Sequence, residues 1–280
     1  MSIPQGLIQR IEHLAPMPAT AQRLLSILND EEVSLADVAG IVEHDEALVS
    51  NTLRIANSVY FSRGKEITSA RSAVVRLGTT NLLNIILGQH LRHVGEPAPL
   101  YDLTEDDLWL HSISASLAAD ELIRARRREI PEIARLAALV HDVGKLVMVR
   151  YFKMDFQAVL TLSTRDNITF VEAEQEMFGC NHAEVGGAIA EEWGFPEEVR
   201  SAIVHHHDRS PDSPNPVLDT VIISNLVAKT LSAGLGAEGL NFDVDDRVQS
   251  RMHLDFSSFC NLCTRVETRV AEVKQLYTPQ

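Results

Sequence analysis

A chain of 280 residues with 25 Lys+Arg against 39 Asp+Glu has a formal charge of −14, and 45% of its residues are hydrophobic. That composition builds a substantial core and excludes disorder for most of the length, and at about 100–200 residues per domain it allows one large domain or two small ones. The acidic balance disfavours sequence-independent nucleic-acid binding. Three cysteines (Cys180, Cys260, Cys263) are too few for a disulfide framework, and no uncharged apolar run nears the roughly 18 residues that cross a bilayer. The opening segment lacks the basic-then-apolar layout of a signal peptide, so the cytoplasm is the expected location, with neither nucleic acid nor membrane as a partner.

In chain order, apolar residues recur at three- and four-residue spacing, as in Leu24, Leu25 and Leu28 after Pro18 and in Leu82, Leu83, Ile86 and Leu87 after Gly78. Capping-box spacing opens helices at Ser34/Asp37, Thr104/Asp107 and Thr169/Glu172, while Gly64, Gly78, Gly95, Gly179 and Gly194 supply stops. Alternating strand patterns are scarce, and the expected fold class is all-α. Ser34 to Asn57 resembles a helix-turn-helix in outline, but its single cation, Arg54, faces Asp37, Glu43, Asp45 and Glu46, a balance that phosphates would repel. It is read as scaffold.

The stretch Gly95–Pro99 is the best candidate boundary, dividing a front helical part (1–97) from a rear part (98–280) that holds all of the clustered histidines. In the rear part, Arg124, Arg126, Arg127 and Arg128 read as a solvated helix end before Pro131. The proline-rich loop Arg209–Pro216 separates three consecutive histidines from an apolar helix around Val221 to Leu231. Two tempting patterns are discounted. Gly234–Gly239 matches GxGxxG but follows a helix rather than a strand, and Cys260/Cys263 is half a zinc site on a helix with no second pair nearby.

Placement singles out some of the eleven histidines. His111 lies on a helix after Leu108-Trp109-Leu110, His141-Asp142 closes the apolar run Ala137–Val140, His182 follows Cys180-Asn181, and His205, His206 and His207 end another helix. Imidazole with carboxylate suits iron, manganese, zinc, cobalt or nickel better than calcium or magnesium. Adjacent helical residues point about 100° apart, so His141 and Asp142 are expected to address neighbouring ions, with Asp142 bridging two of them. Lys145, one turn beyond His141, is either a phosphate-binding ammonium or a solvated charge. Asp107, four residues before His111, is either a further ligand or a cap.

These residues resemble the HD superfamily of metal-dependent phosphohydrolases, the doublet being His141-Asp142 within HDVGK. From about residue 5 to 240 the chain more closely resembles an HDOD domain, the HD-related output domain of bacterial signalling proteins. In front the resemblance is carried by Leu14–Ala19, Arg23-Leu-Leu, Leu28–Asp30, Leu53–Ser58, Ile67–Ser69 and Val75–Gly78. Behind, it is carried by Leu108–Ser112, Val140–Lys145, His182–Gly186 and His206–Asp208. It implies an HD-type helical core with an N-terminal helical HDOD subdomain and C-terminal helices beyond the HDOD unit. It also implies a metal-ligand set of His111, His141, Asp142, His182, His206 and His207 for one or two divalent ions, with Asp142 and Lys145 as the residues closest to any catalysis.

Where that pattern calls for a later aspartate, Asn225 stands. Asp219 lies about 240° around a regular helix from Asn225 and is a poor substitute. No glycine lies between Phe195 and Ala233, so the Gly-Tyr-Pro motif of the cyclic di-GMP phosphodiesterases is absent. The resemblance therefore implies a bacterial signal-transduction regulator with weak or no catalysis, working with a signalling protein partner. The alternative is a divalent-metal phosphohydrolase acting on a nucleotide or other phosphate ester. A small phosphorylated ligand is compatible with both.

Overall fold

In the computed structural model, which describes residues 17–28, 34–58, 66–93, 105–126, 128–152, 156–208, 214–231 and 244–277, every regular element is an α-helix. The described residues fall into two compact units, one of residues 17–90 with 271–277 and the other of residues 91–270.

Among the described residues the front unit contains α1 (Ala19–Leu28), α2 (Leu35–Glu43), α3 (Glu46–Ala56), α4 (Ala70–Leu77) and most of α5 (Thr79–His93), with the end of the last helix. Short polar side chains set their starts. Ser34 and Asp37 complete the expected capping box on α2, Asp45 accepts from the Leu48 amide on α3, and Ser69 accepts from the Ser72 amide on α4. In sequential order α1, α2, α3 and α4 pack on their neighbours, and α2 also meets α4. Asn57, just past α3, binds the Ile67 backbone twice: its Nδ2 donates to the Ile67 carbonyl at 2.7 Å, and its Oδ1 accepts from the Ile67 amide at 2.8 Å. That clamp pins the segment entering α4.

The rear unit contains α6 (Glu105–Ala125), α7 (Ala134–Val140), α8 (Val143–Phe152), α9 (Phe156–Asp166), α10 (Phe170–Phe178), α11 (His182–Glu192), α12 (Glu197–His205), α13 (Pro216–Thr230), α14 (Asp246–Arg251) and most of α15 (Phe256–Tyr277). The Thr169/Glu172 capping box forms, and Gly179 closes α10 in the left-handed region at φ 73°. A further box, Asn181 with Glu184, opens α11. Helix α7 is buried at every position and packs on α6, α12 and α13, and α11 packs on α8 and α12.

Three glycines bring these helices together. A Cβ on Gly144 would collide with the His182 carbonyl oxygen, one on Gly186 would lie 2.8 Å from Ile203 Cγ2, and one on Gly187 would overlap Val204. Helix α8 can therefore lie against the start of α11, and α11 against α12, only because those positions have no side chain.

Several sequence expectations find their place. Arg124 and Arg126 stand at the end of α6, Arg124 half-exposed beside Asp120 and Arg126 paired with Glu129 and the Arg251 carbonyl; Arg128 is exposed. Cys260 is exposed and Cys263 buried on one helix, neither in a disulfide. Thr104, Arg127, Gly64, Gly95, the Gly234–Gly239 stretch and the side chain of Asp107 lie outside the described residues. Among the described residues no helix is long and apolar enough to cross a membrane.

Candidate metal centre

Four helix ends converge on one buried point. Helix α7 stops at His141, its C-cap; α8 starts two residues later; α11 begins on His182; and α12 stops at His206, its C-cap, with His207 next. His111, in the second turn of α6, completes the group. His205 faces outward and pairs with Asp208 at 2.8 Å, so only two of the three consecutive histidines turn inward.

The His141-Asp142 doublet sits at the joint between α7 and α8, where Asp142 stands between two groups of imidazoles, the arrangement that a bridging carboxylate needs. His141 Nε2 lies 3.3 Å from Asp142 Oδ2, and His111 Nε2 lies 3.4 Å from the same oxygen and 3.3 Å from His141 Nε2. The other oxygen, Oδ1, lies 3.4 Å from His182 Nε2 and 3.5 Å from His206 Nε2, while His182 Nε2 is 2.9 Å from His207 Nε2. Two ligand groups result, His111/His141/Asp142 and Asp142/His182/His206/His207, with the Asp142 carboxylate common to both.

The tautomers follow from the partners. His141 Nδ1 is 2.8 Å from the Ala138 carbonyl and His206 Nδ1 is 2.6 Å from the Ile203 carbonyl, each the residue three before it at a helix C-terminus where carbonyls lack helical donors. A carbonyl only accepts, so both Nδ1 atoms carry a proton and each ring turns its Nε2 toward the Asp142 carboxylate. His182 is oriented by Glu174, whose Oε2 lies 2.6 Å from the His182 Nδ1 and accepts from its amide at 3.1 Å. This carboxylate–imidazole pairing raises the basicity of a ligating ring and fixes its direction.

Burial holds His206 down to about 4, and burial followed by the His206 and His182 rings holds His207 well below the ordinary histidine range. Burial works against the charge on Asp142, but His141 and the Lys145 ammonium keep its carboxyl well below the usual carboxylate range. The centre at neutral pH is therefore an anionic carboxylate with the neutral His206 and His207 rings beside it. Asp142 Oδ1 and His206 Nε2 are both buried without a hydrogen-bond partner. Orphaned buried acceptors of this kind are costly unless a cation meets them, and nitrogen and oxygen donors together suit a divalent transition ion. The residues present fit such an ion.

Lys145 is not a solvated charge. It is buried in the first turn of α8, and its Nζ lies 2.8 Å from Asp142 Oδ2. Asn225 is buried on α13 with its Oδ1 lacking a hydrogen-bond partner. Lys229, one turn later on the same face, is also buried, and its charge is felt at His207. Asp219 points elsewhere, held by Arg251 through two bonds of 2.7 Å each, which removes it as a ligand.

Glu174 escapes notice in the sequence because it precedes His182 by eight residues on a separate helix. Its signal is positional. Phe170, Glu174 and Phe178 are spaced by four and all buried, so a carboxylate occupies the apolar stripe of α10 and must have a partner there.

Residues 14–209 match the HDOD domain family. An uncharacterised protein of Treponema pallidum (strain Nichols) is 25% identical over 232 residues, covering 81% of this chain, which spans only 44% of that protein's length. An HDOD domain protein of unknown function from Geobacter sulfurreducens superimposes with a TM-score of 0.71 at 24% identity, over 96% of this chain and 93% of its own. A protein of Shewanella amazonensis SB2B, named as a candidate phosphohydrolase, gives 0.71 at 19% identity over 98% of each chain. At these identities the two structures establish the fold.

Proposed function

This chain belongs to the HDOD domain family, and we propose that it is a bacterial signal-transduction regulator whose rear unit carries a divalent-metal centre serving ligand binding and stability, with weak or no turnover. The observation that carries this reading is the pairing of a complete histidine–Asp142 cluster with Asn225, a neutral buried amide where the HD pattern calls for a carboxylate. Loss of that negative charge weakens the hold on an ion and on the charge it must balance. More than half of the Treponema protein lies outside the matched region, so the shared region also occurs within a longer chain.

His111, His141, Asp142, His182, His206 and His207 would hold the metal. A bound ion would supply positive charge to a phosphate oxygen, and the buried Lys145 and Lys229 add two more cations on this chain's own account. The ligand class is therefore a small phosphorylated molecule, and the regulatory output passes to a protein partner in the cytoplasm.

A second reading, divalent-metal phosphohydrolysis of a nucleotide or other phosphate ester, is favoured by the sharing of Asp142 between two ligand groups and by the name of the Shewanella protein. Protein purified with manganese or iron, analysed for metal and then incubated with a panel of nucleotides, separates the two. The regulatory reading expects bound metal, ligand-induced thermal stabilisation and recovery of intact ligand. Robust hydrolysis that disappears in Asp142→Ala overturns it in favour of the enzyme.

A further inference from the structure

Cys260 and Cys263 lie three residues apart near the start of α15 and belong to neither ligand group of the metal centre. On a regular helix, Cα atoms at that spacing are about 5 Å apart, from a rise of about 1.5 Å per residue and a radius of about 2.3 Å. A disulfide spans about 4.4–6.8 Å between Cα atoms, so the spacing suits one. Their Cβ atoms, about 5–6 Å apart on a helix, must approach by roughly 1–2 Å before the sulfurs can join. The turn between them is able to give. The Thr264 hydroxyl donates to the Cys260 carbonyl at 3.1 Å and the Thr268 hydroxyl to the Thr264 carbonyl at 3.0 Å, and such back-bonds compete with the helical ladder and bend a helix.

Access divides the two thiols. Cys260 is exposed, whereas Cys263 is buried. Burial, and after it the nearness of Cys260, push the Cys263 thiol up to about 11. Its sulfur is therefore a protonated thiol shielded from solvent, with Cys260 in electrostatic reach and open to reagents. We propose that Cys260 and Cys263 are a redox pair that a low-molecular-weight disulfide converts to an internal disulfide, and that closing the pair loosens the hold of α15 on α6. The Cys260 thiolate, its proton passed to water, attacks one sulfur of the reagent, forms a mixed disulfide and expels one thiolate. Cys263, once its own proton has passed to water, attacks the Cys260 sulfur, forms the internal bond and expels the second thiolate. Each cysteine gives up one electron, and the reagent gains two and leaves as two thiols carrying the two protons.

The effect on α6 follows from what comes next along the helix, all within the rear unit. Arg265 lies 2.9 Å from Glu121, and Arg269 reaches Asp120 and Glu121 at 2.8 Å each. Leu262 and Val266 are buried between these anchors and the thiol pair. Tightening the turn from Cys260 to Cys263 shifts Leu262 and Cys263 against the stretch that the arginines hold, so the buried contacts and the ion pairs no longer fit together.

Reduced full-length protein incubated with oxidised glutathione, then alkylated and mapped by mass spectrometry without reduction, provides the test. The expected product has lost two hydrogens, carries its bond between Cys260 and Cys263, keeps Cys180 as a thiol, and returns to the starting mass with dithiothreitol. Hydrogen exchange of the amides from 264 to 270 is at least about ten-fold faster in that product than in the reduced protein. Cys263→Ser stops at a glutathione adduct on Cys260, and Cys260→Ser takes up no glutathione; the mapping of the wild type needs neither variant. A lasting glutathione adduct on wild-type Cys260, a bond between the Cys260 residues of two chains, a bond to Cys180 or no reaction at all overturns the redox pair. An internal disulfide that leaves the exchange of α15 unchanged overturns its link to α6.

Discussion

Asp120 and Asp142 are buried carboxylates in the same unit, and their surroundings differ in kind. Asp120 is held by guanidinium groups from three helices or loops: Arg124 at 3.1 Å, Arg269 at 2.8 Å and Arg135. The neighbouring Glu121 binds Arg265 at 2.9 Å and Arg269 at 2.8 Å, which ties α15 to α6. Asp142 has one ammonium, four imidazole nitrogens at 3.3–3.5 Å and one oxygen without a hydrogen bond. Permanent cations saturate the first carboxylate, so it is structural. The second is surrounded by groups that can give up their place to a metal, and it is left partly unsatisfied where a site is needed.

Removing each carboxylate breaks the comparison most sharply. Asp120→Ala takes from the buried Arg135 and Arg269 a carboxylate that both share and is expected to cost about 3–5 kcal/mol in chemical denaturation, with no specific effect on metal binding in the protein that remains folded. Asp142→Asn is nearly isosteric and keeps an acceptor oxygen for the Lys145 ammonium. It is expected to cost less stability than Asp120→Ala while abolishing retention of metal. Equal losses of stability, or metal retained without Asp142, would put the two sites in the same class.

Acid separates the two sites next. His206 accepts a proton near 6.5 when unfolded but only near 4 in the folded protein, so the unfolded state binds the extra proton between those values. Stability of the metal-free protein is expected to be full above about pH 6.5 and to fall by roughly 3 kcal/mol as the pH drops to about 4. His207 and Asp142, both held low, act in the same direction, Asp142 at more acid values. The arginines around Asp120 do not titrate in that window. Denaturation midpoints across pH 4 to 7 measure the slope, and His206→Gln is expected to flatten it. A slope unchanged in that variant assigns the acid sensitivity elsewhere.

Gly144→Ala is expected to act through geometry alone. The added methyl meets the His182 carbonyl and the Gly186 amide, so α8 and α11 must separate at a cost of about 1–3 kcal/mol. Since Asp142 and His182 are carried by those elements, metal affinity should fall together with stability. Measuring both on Gly144→Ala and on Gly40→Ala, where a Cβ meets open space, separates the close approach from a general effect of glycine replacement.

What was legible in the sequence follows the range of the interaction. Capping boxes at Ser34 and Thr169 and the Gly179 stop are decided within four residues, and they form as the spacing predicts. The candidate ligand types were legible because histidine is uncommon at the end of an apolar run. Asp142 as a carboxylate shared between two groups was legible too, whereas which histidines stand on each side of it was not, since that depends on how separate helices meet. The Lys145 ion pair hid for a similar reason, because a lysine near a helix start reads as solvated until a buried carboxylate is known to face it. Arg135, inside the apolar run Ala134–Val140, carried the same kind of clue as Glu174: a charge on a buried stripe implies a buried counter-charge.

The smallest expected effect tests the orientation of one ring. Glu174→Gln keeps the shape and an acceptor oxygen for the His182 Nδ1 proton but removes the carboxylate charge that makes the Nε2 lone pair a better donor. Both the Glu174 and His182 side chains are fully buried, so no water is placed to restore the interaction. The expected result is a metal affinity about ten-fold lower, with a melting temperature close to wild type in the metal-free state. Calorimetry with manganese(II) reads the affinity. If Glu174→Gln instead unfolds the protein while leaving affinity unchanged in the folded fraction, Glu174 belongs with Asp120 among the structural carboxylates, and the division between saturated and open charge has to be drawn inside the metal centre itself.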